Sequence, residues 1–267
     1  MYEAHYGLSA RPFAESLDAS TAVRLPSREA ALRRLRYGLE HGGGPGLAFG
    51  PAGSGKTTLA HRLAEELGVP TVHLPFPAMP ADELLAYLAD ELAAPPAAGE
   101  GLGGSVRRVR RALAARVARG ERTLLVVDEA HLIDDPRTFE ALRLLLNFAS
   151  DGTPDLSMML VGAPEVLLRL PASMADRVAA RVVVGALSGQ ESSTYINEKL
   201  RISGATRPIF DAESLDALYR HADGLPRRLN RVADLALLIA YARDRDCPDP
   251  RDVADAAREA IADPLAA

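Results

Sequence analysis

The chain has 267 residues and a formal net charge of −5. Hydrophobic residues make up 48% of it and charged residues 25%, which excludes wholesale disorder and collagen-like structure. The single cysteine, Cys247, excludes an intramolecular disulfide framework and any multi-cysteine zinc site. Only Lys56 and Lys199 are lysines among the 31 basic residues, so each of these two positions calls for a specific explanation.

The apolar segments are short. The N-terminus lacks the charged-then-apolar pattern of a secretory signal, and the longest late apolar stretch is Leu235–Ala242. A helix that spans a bilayer needs about 20 apolar residues. The sequence therefore predicts a cytoplasmic protein without direct membrane insertion.

Before Leu187, short apolar runs alternate with segments of helical periodicity. Strands are predicted over Leu47–Phe49, Val69–Leu74, Thr123–Val127, Leu156–Val161 and Val182–Leu187. Helices are predicted over Arg28–His41, from Gly55, and over Pro80–Leu92, Ser105–Ala118 and Arg137–Phe148, with a loop over Ala94–Gly104. Strands separated by helices predict βαβ units and an α/β fold with a mainly parallel sheet.

After Leu187 the pattern is helical throughout. Ser188 and Glu191 form a capping box that opens a helix to Ile202, and three further helices are predicted over Asp211–His221, Pro226–Ala242 and Pro250–Ile261. We therefore predict an N-terminal extension packing on the core over residues 1–27, an α/β nucleotide-binding domain over 28–187 and a helical lid domain over 188–267.

A complete phosphate-loop motif, G-x-x-x-x-G-K-[ST], lies between a short strand and an amphipathic helix. Its residues are Gly50, Pro51, Ala52, Gly53, Ser54, Gly55, Lys56 and Thr57, followed by Thr58. Backbone N–H groups of such a loop surround phosphates, and the helix N-terminus adds a partial positive charge. Lys56 is predicted to reach the β- and γ-phosphates of ATP, and the Thr57 hydroxyl to ligate Mg²⁺.

Two carboxylates end the apolar strand Leu124–Val127. Asp128 is placed to support the magnesium shell, directly or through water, and Glu129 to polarise an attacking water molecule. Kinases that transfer phosphate to a substrate hydroxyl do not require the second carboxylate in the same way. The pair therefore favours hydrolysis of a nucleoside triphosphate.

Arginines follow the predicted sheet in two places. Arg177 and Arg181 lie before the fifth strand, and Arg227 opens a helix in the sequence Gly-Leu-Pro-Arg. A guanidinium group suits the charge that develops on a transferring phosphoryl group, and a neighbouring subunit can supply it. In a chain this rich in arginine, spacing alone explains Arg177 and Arg181 better as solvated surface residues.

With these elements in order, the chain resembles the AAA+ ATPases of the ExeA, or general secretion pathway protein A, type. The resemblance rests on Tyr6-Gly7-Leu8 with Pro12-Phe13, and on the runs LLVVDEAHLI (Leu124–Ile133), LRLLLNF (Leu142–Phe148), MLVGAPE (Met159–Glu165) and GLPRRLN (Gly224–Asn230). It implies a P-loop NTPase core with a five-stranded sheet, a helical lid, ATP and Mg²⁺, and rings or filaments with sites between subunits.

The resemblance also implies roles for single residues. Arg227 would be the phosphate sensor of the lid, and Arg177, or alternatively Arg181, would act on a neighbouring subunit. Ala163 stands where a polar sensor is expected, so either Asn147 substitutes for it or that function is weak. Next to the acidic pair, His131 either contacts the nucleotide or Glu129, or is a polar residue at the start of a helix.

The biological setting stays open between two branches of this family. Secretion and cell-envelope proteins of the ExeA type carry further segments after the ATPase, whereas related TniB/TnsC and MuB ATPases select targets for DNA transposition. In the second case ATP would drive filament formation on duplex DNA. Arginines along the helix Ser105–Ala118 are either a DNA-facing or partner-facing strip, or a solvated helix face: Arg107, Arg108, Arg110, Arg111, Arg116 and Arg119.

Overall fold

A computed structural model describes residues 2–14, 22–92 and 101–262 of the chain. The chain divides into two compact units. The α/β unit comprises Ala30–Pro51 and Lys56–Val184, and the helical unit comprises Ala52–Gly55 with the described parts of Met1–Glu29 and Gly185–Ala267. The predicted domain boundaries stay a prediction.

The α/β unit is built on a five-stranded sheet in which every pairing is parallel, in the order β2-β3-β4-β1-β5. The strands are β1 (Gly46–Phe49), β2 (Thr71–Leu74), β3 (Thr123–Val127), β4 (Leu156–Gly162) and β5 (Ala180–Val183). The helices are α2 (Pro26–His41), α3 (Lys56–Leu67), α4 (Ala81–Glu91), α5 (Leu102–Val117), α6 (Pro136–Leu145), α7 (Val166–Arg169) and α8 (Ala172–Ala175). This arrangement confirms the predicted α/β fold class.

Both faces of the sheet are covered, as a parallel sheet requires. Successive residues of β3 alternate between two cores: Leu125 and Val127 pack in the cluster that contains α4, α5 and α6, whereas Leu124 and Val126 pack in the cluster with α2 and α3. All five residues of β3 are buried. Asp128, the residue that follows β3, therefore lies at the carboxyl edge of the sheet.

Most predicted elements are confirmed, with shifts at their ends. β5 begins and ends earlier than predicted, because its pairing with β1 runs from Ala180 to Val183. The Val184 N–H, just after this strand, donates to the Phe49 carbonyl oxygen at 2.8 Å. The predicted loop over Ala94–Gly104 is wrong at its end, where α5 already begins at Leu102. Positions 94–100 of that loop lie outside the described residues.

The helical unit contains α1 (Tyr2–His5), α9 (Gly189–Ile202), α10 (Ala212–Ala222), α11 (Pro226–Ala242) and α12 (Pro250–Ala262). The capping box that opens α9 is confirmed, since the Glu191 N–H donates to Ser188 Oγ at 3.2 Å. The side chains of Tyr2, Tyr6 and Phe13, in the extension predicted to pack on the core, are buried in the hydrophobic cluster of this unit. None of the helices in the described ranges has the length and apolar character needed to cross a bilayer.

Candidate functional site

The predicted phosphate loop connects β1 to α3 and has the backbone that its glycines require. Gly53 has a φ of +74° and Gly55 a φ of +91°, a left-handed region that favours residues without a side chain. Lys56 is the first residue of α3, and its Nζ donates to the carbonyl oxygens of Gly50 and Pro51, both at 3.0 Å. The ammonium group is thus held over the N-terminal half of the loop, and Thr58 follows two positions along α3.

Ser54 tests whether the loop suits a phosphate group. Its side chain is fully buried, and within the described residues its Oγ has no hydrogen-bond partner. A buried hydroxyl without a partner is costly, and a bound acceptor would satisfy it. The loop therefore fits an anionic ligand with several oxygen acceptors.

Arg28 contacts the backbone of the phosphate loop and was not predicted from the sequence. Its Nη2 donates to the carbonyl oxygens of Ser54, at 3.0 Å, and Gly185, at 2.6 Å. Burial lowers the pKa of the Arg28 guanidinium from its usual value. The only signal in the sequence was an arginine at the start of a predicted helix, which an arginine-rich chain makes uninformative.

The structure brings together Thr57 and Asp128, the two residues predicted to ligate Mg²⁺. The Thr57 hydroxyl donates to Asp128 Oδ2 at 2.7 Å, and the N–H of Glu129 donates to Asp128 Oδ1 at 2.9 Å. Burial alone would raise the pKa of Asp128, but the nearby His73 side chain and the hydrogen bond from Thr57 outweigh burial and hold that pKa below its usual value. Asp128 is therefore a carboxylate at neutral pH, as a magnesium site requires.

These two side chains are the candidate ligands of a magnesium ion. The described part of the chain holds no group of three or more His, Cys, Asp or Glu residues suited to a metal. Mg²⁺ commonly keeps several waters and binds one or two protein ligands together with substrate phosphates. A hydroxyl and a carboxylate next to a phosphate loop fit that ligand pattern.

His73 is a second residue that the sequence reasoning missed. It lies on β2, and its Nε2 is 3.5 Å from Asp128 Oδ2. Its ring also packs edge-on against His61 of α3, with 5.1 Å between the ring centroids. A histidine in the otherwise apolar strand Val72–Leu74 was the available signal, because β2 pairs directly with the strand that ends in Asp128.

Glu129 has an unusual backbone for a residue with a side chain. Its φ is +50° and its ψ +35°, and it is followed by a single 3₁₀ turn over Ala130–Leu132. Such left-handed non-glycine residues concentrate at functional sites. The Glu129 side chain is 47% exposed, so its carboxylate is accessible to water, and Oε2 lies 3.3 Å from His131 Nδ1.

Arg227 lies against the phosphate loop within the helical unit. Its N–H donates to the Gly53 carbonyl oxygen at 3.2 Å, at the beginning of α11. A Cβ atom at Gly53 would come within 2.8 Å of the Arg227 Cβ atom, so this approach also requires glycine. The predicted phosphate sensor is therefore a neighbour of the predicted phosphate loop.

Arg177 and Arg181 are both exposed in the α/β unit. Arg177 Nη1 donates to Asn147 Oδ1 at 2.9 Å, whereas Arg181 Nη2 donates to the Ala175 carbonyl oxygen at 2.8 Å. A residue that acts on a neighbouring subunit must be exposed, and both arginines are exposed. The choice between them stays a prediction, and the Asn147 side chain is engaged by Arg177.

Ala163 has no polar side chain, but its backbone makes a polar contact with His131. Its N–H donates to His131 Nδ1 at 3.2 Å. Of the alternatives for His131, the structure supports contact with Glu129. The two residues that the sequence treated separately, Ala163 and His131, are thus connected.

Comparison with known proteins agrees with this geometry. Residues 39–170 match the protein family described as "AAA domain". Residues 39–170 therefore carry an AAA domain. The chain is 36% identical over 250 residues to general secretion pathway protein A of Aeromonas hydrophila. That match covers 91% of this chain and 45% of the relative, so the chain spans less than half of the relative's length.

Solved structures of AAA+ proteins share the fold. Cdc6p from Pyrobaculum aerophilum superimposes with a TM-score of 0.75 at 18% identity, covering 93% of this chain and 70% of that chain. The Aeropyrum pernix ORC2 protein in ADPNP–ADP complexes gives 0.69 at 19% identity, with 94% and 72% covered. The Thermotoga maritima RuvB Holliday junction branch migration motor gives 0.59 at 19% identity, with 90% and 71% covered. The likeness confirms an AAA+ P-loop NTPase fold.

Proposed function

We propose that this AAA+ protein binds ATP with Mg²⁺ and hydrolyses it to ADP and phosphate. The observation that carries the proposal is the 2.7 Å contact between Thr57 Oγ1 and Asp128 Oδ2, with Glu129 as the next residue. With this contact, a hydroxyl, a candidate metal-binding carboxylate and a candidate base lie at the carboxyl edge of the sheet, beside the helix that begins with Lys56. The related ORC2 protein, whose structure was solved with ADPNP and ADP, supports an adenine nucleotide as ligand.

In this proposal the loop binds and orients the triphosphate. Backbone N–H groups of residues 50–57 and the N-terminus of α3 bind the phosphate oxygens, and Lys56 transfers its hydrogen bonds from the Gly50 and Pro51 carbonyls to them. Thr57 and Asp128 would hold Mg²⁺, which neutralises charge on the β- and γ-phosphates when bound. The hydroxyl of Ser54 gains the acceptor that it lacks within the described residues.

Glu129 then acts as the base. Its exposed carboxylate accepts a proton from a water molecule, whose oxygen bonds to the γ-phosphorus while the bond to the bridging oxygen of ADP breaks. Arg227 reports the γ-phosphate from the same chain, since the start of α11 touches the loop at Gly53. Each of these groups positions the reacting atoms, stabilises their charge or accepts a proton from water. No covalent intermediate between protein and phosphate is required.

Assembly of a homo-oligomer, as a ring or filament, completes the proposed site. Arg177, with Arg181 as the alternative, would reach the nucleotide of a neighbouring subunit from its exposed position. Hydrolysis would then depend on assembly, which makes the protein a nucleotide-controlled motor or switch. Its proposed setting is the cytoplasmic side of a secretion or cell-envelope system, on the basis of its likeness to general secretion pathway protein A.

Target selection in DNA transposition, the alternative setting, finds less support in the arginines of α5. Arg108 is buried and donates to Asp90 at 2.6 Å, Arg116 donates to Thr123, and Arg119 pairs with Glu121 at 3.1 Å. Half of the six arginines are therefore engaged within the chain. The remaining exposed group is small for a duplex-binding surface, which commonly neutralises several phosphates.

The experiment that tests the proposal compares nucleotide binding and phosphate release in the intact protein. Wild type is expected to release phosphate from ATP with Mg²⁺ and to stop when EDTA removes the metal. Asp128→Asn is expected to retain ATP binding in the absence of Mg²⁺ and to lose the enhancement of binding that Mg²⁺ gives. Equal metal dependence in wild type and Asp128→Asn would contradict the proposed metal site, and absence of phosphate release in wild type at any protein concentration would contradict hydrolysis.

A further inference from the structure

A single peptide unit at the end of β4 faces two parts of the site. The carbonyl oxygen of Gly162 accepts from the N–H of Gly50, the first residue of the phosphate loop, at 3.2 Å. The N–H of the same peptide unit, that of Ala163, donates to His131 Nδ1 at 3.2 Å. Because the peptide unit is planar, its carbonyl group and its N–H group can change direction only together.

The packing around this peptide is tight at Gly162, and a side chain there would force its neighbours to shift. A Cβ atom there would lie 3.2 Å from the backbone nitrogen of His131, 3.3 Å from the Val166 Cβ atom and 3.5 Å from His131 Nδ1. The glycine lets the 3₁₀ turn that carries His131 lie directly against the end of β4. The ring is only 22% exposed, so its orientation is set by these neighbours.

His131 Nδ1 is also 3.3 Å from Glu129 Oε2, so two groups converge on one nitrogen. An imidazole nitrogen either carries a proton and donates, or carries a lone pair and accepts. When Nδ1 accepts from the Ala163 N–H, the proton of the neutral imidazole ring is on Nε2, and Nδ1 cannot donate to Glu129. When Nδ1 carries the proton, it donates to Glu129 and the Ala163 hydrogen bond is lost.

We propose that His131 is a positioning residue for Glu129 and that the Gly162–Ala163 peptide selects its tautomer. The hydrogen bond from Ala163 fixes the tautomer in which Nδ1 carries a lone pair and no proton. In that state Nδ1 has no proton to donate to the Glu129 carboxylate, so both carboxylate oxygens remain free to accept a proton from water. The tautomer with a proton on Nδ1 would instead donate to Glu129 Oε2 and occupy one of the oxygens that could accept a proton from water.

The inference rests on the proposed hydrolysis and adds a physical link to it. Gly50 and Glu129 are joined through one peptide unit and one imidazole ring, so the position of the loop and the state of the base are connected. The link lies within the α/β unit and needs no neighbouring subunit.

Substitutions at His131 separate the action of Nδ1 from simple packing. His131→Asn places an amide oxygen or nitrogen near the position of Nδ1, whereas His131→Gln places them near that of Nε2. We expect His131→Ala and His131→Gln to lower kcat about tenfold, with KM for ATP and the Kd for ADP changed less than about twofold. His131→Asn is expected to restore most of kcat. The matched control is His41→Asn, at the exposed end of α2.

A spectroscopic measurement examines the tautomer without any turnover. In protein labelled with ¹⁵N-histidine, the His131 resonances, assigned by their loss in His131→Asn, are expected to show an unprotonated Nδ1 and a protonated Nε2 near neutral pH. A protonated Nδ1 would overturn the proposal. So would an unchanged kcat in His131→Ala, or equal kcat values for the Asn and Gln variants. If wild type shows no phosphate release, the proposed function itself fails, whereas turnover that is insensitive to His131 overturns this inference alone.

Discussion

The N–H of Arg227 donates to the carbonyl oxygen of Gly53, with 3.2 Å between nitrogen and oxygen. The first turn of α11 is thereby joined to the centre of the phosphate loop. Gly53 meets two conditions at once, a φ of +74° and a Cβ-free approach to Arg227. The contact between the start of α11 and the loop therefore requires glycine at position 53.

Substitution of Gly53 by alanine is expected to disturb both features. A left-handed alanine costs about 1–2 kcal/mol, and its Cβ would lie 2.8 Å from that of Arg227, so the loop or α11 must shift. We expect Gly53→Ala to lower ATP affinity about tenfold or more, measured by equilibrium titration. The control is Gly43→Ala, which has a φ of +62° and open space around the new Cβ. It should lose stability but keep ATP affinity, and equal ATP affinities in the two variants would contradict the role of the contact.

Lys56 gives a second prediction, because it is one of only two lysines in the chain. Lys56 is only 8% exposed, and its ammonium donates to the Gly50 and Pro51 carbonyl oxygens, an arrangement that a planar guanidinium does not reproduce. Loss of a charge-assisted hydrogen bond costs about 1.5–3 kcal/mol, so Lys56→Arg should weaken ATP binding about 10- to 100-fold. Lys199→Arg, in the helical unit, should bind ATP as wild type does. Full ATP affinity in Lys56→Arg would refute the assigned role.

The proposed action of Arg177 in trans can be tested by mixing two inactive proteins. Arg177→Ala retains its own Glu129, and Glu129→Gln retains its Arg177. If Arg177 acts on a neighbour, an equimolar mixture should regain phosphate release, because some sites combine an intact base with an intact arginine. The same mixture with Arg181→Ala examines the alternative residue. Inactive Arg177→Ala that no mixture restores would place its effect within its own subunit.

The buried Tyr6 predicts how stability changes at alkaline pH. Burial raises the pKa of Tyr6 to about 12. The folded state therefore keeps this proton while the unfolded chain loses it above about pH 10, so the free energy of unfolding falls between about pH 10 and about pH 12. We expect Tyr6→Phe to reduce that fall, measured by urea unfolding across this range. Tyr37→Phe, at a site that is 68% exposed, should leave the slope as in wild type, and an unchanged slope in Tyr6→Phe would contradict the assignment.

Local patterns in the sequence predicted much of the fold. β3 and α11 have the predicted bounds, because a strand of β-branched and large apolar residues and a helix opened by proline are both specified by neighbouring residues. The capping box of Ser188 and Glu191 is confirmed for the same reason. The phosphate-loop motif likewise predicted the turn that its glycines adopt.

Contacts between distant segments could not be predicted in this way. Arg28 meets Ser54 and Gly185 only because the folded chain brings three separate segments together. His73 meets Asp128 because β2 and β3 are neighbours in the sheet, an order that strand patterns alone do not fix. The short helices α7 and α8 were also missed, since four residues are too few for a helical periodicity.

The most direct test of the account is the turnover of Glu129→Gln. The amide keeps the size of the side chain but cannot accept the proton of the attacking water, so phosphate release should fall by about 10²- to 10⁴-fold. ATP affinity should stay within about twofold of wild type, because Lys56, Thr57 and Asp128 are unchanged. Glu165→Gln, at an exposed position after β4, serves as the control and should hydrolyse ATP normally. Undiminished phosphate release by Glu129→Gln would contradict the assignment of the base.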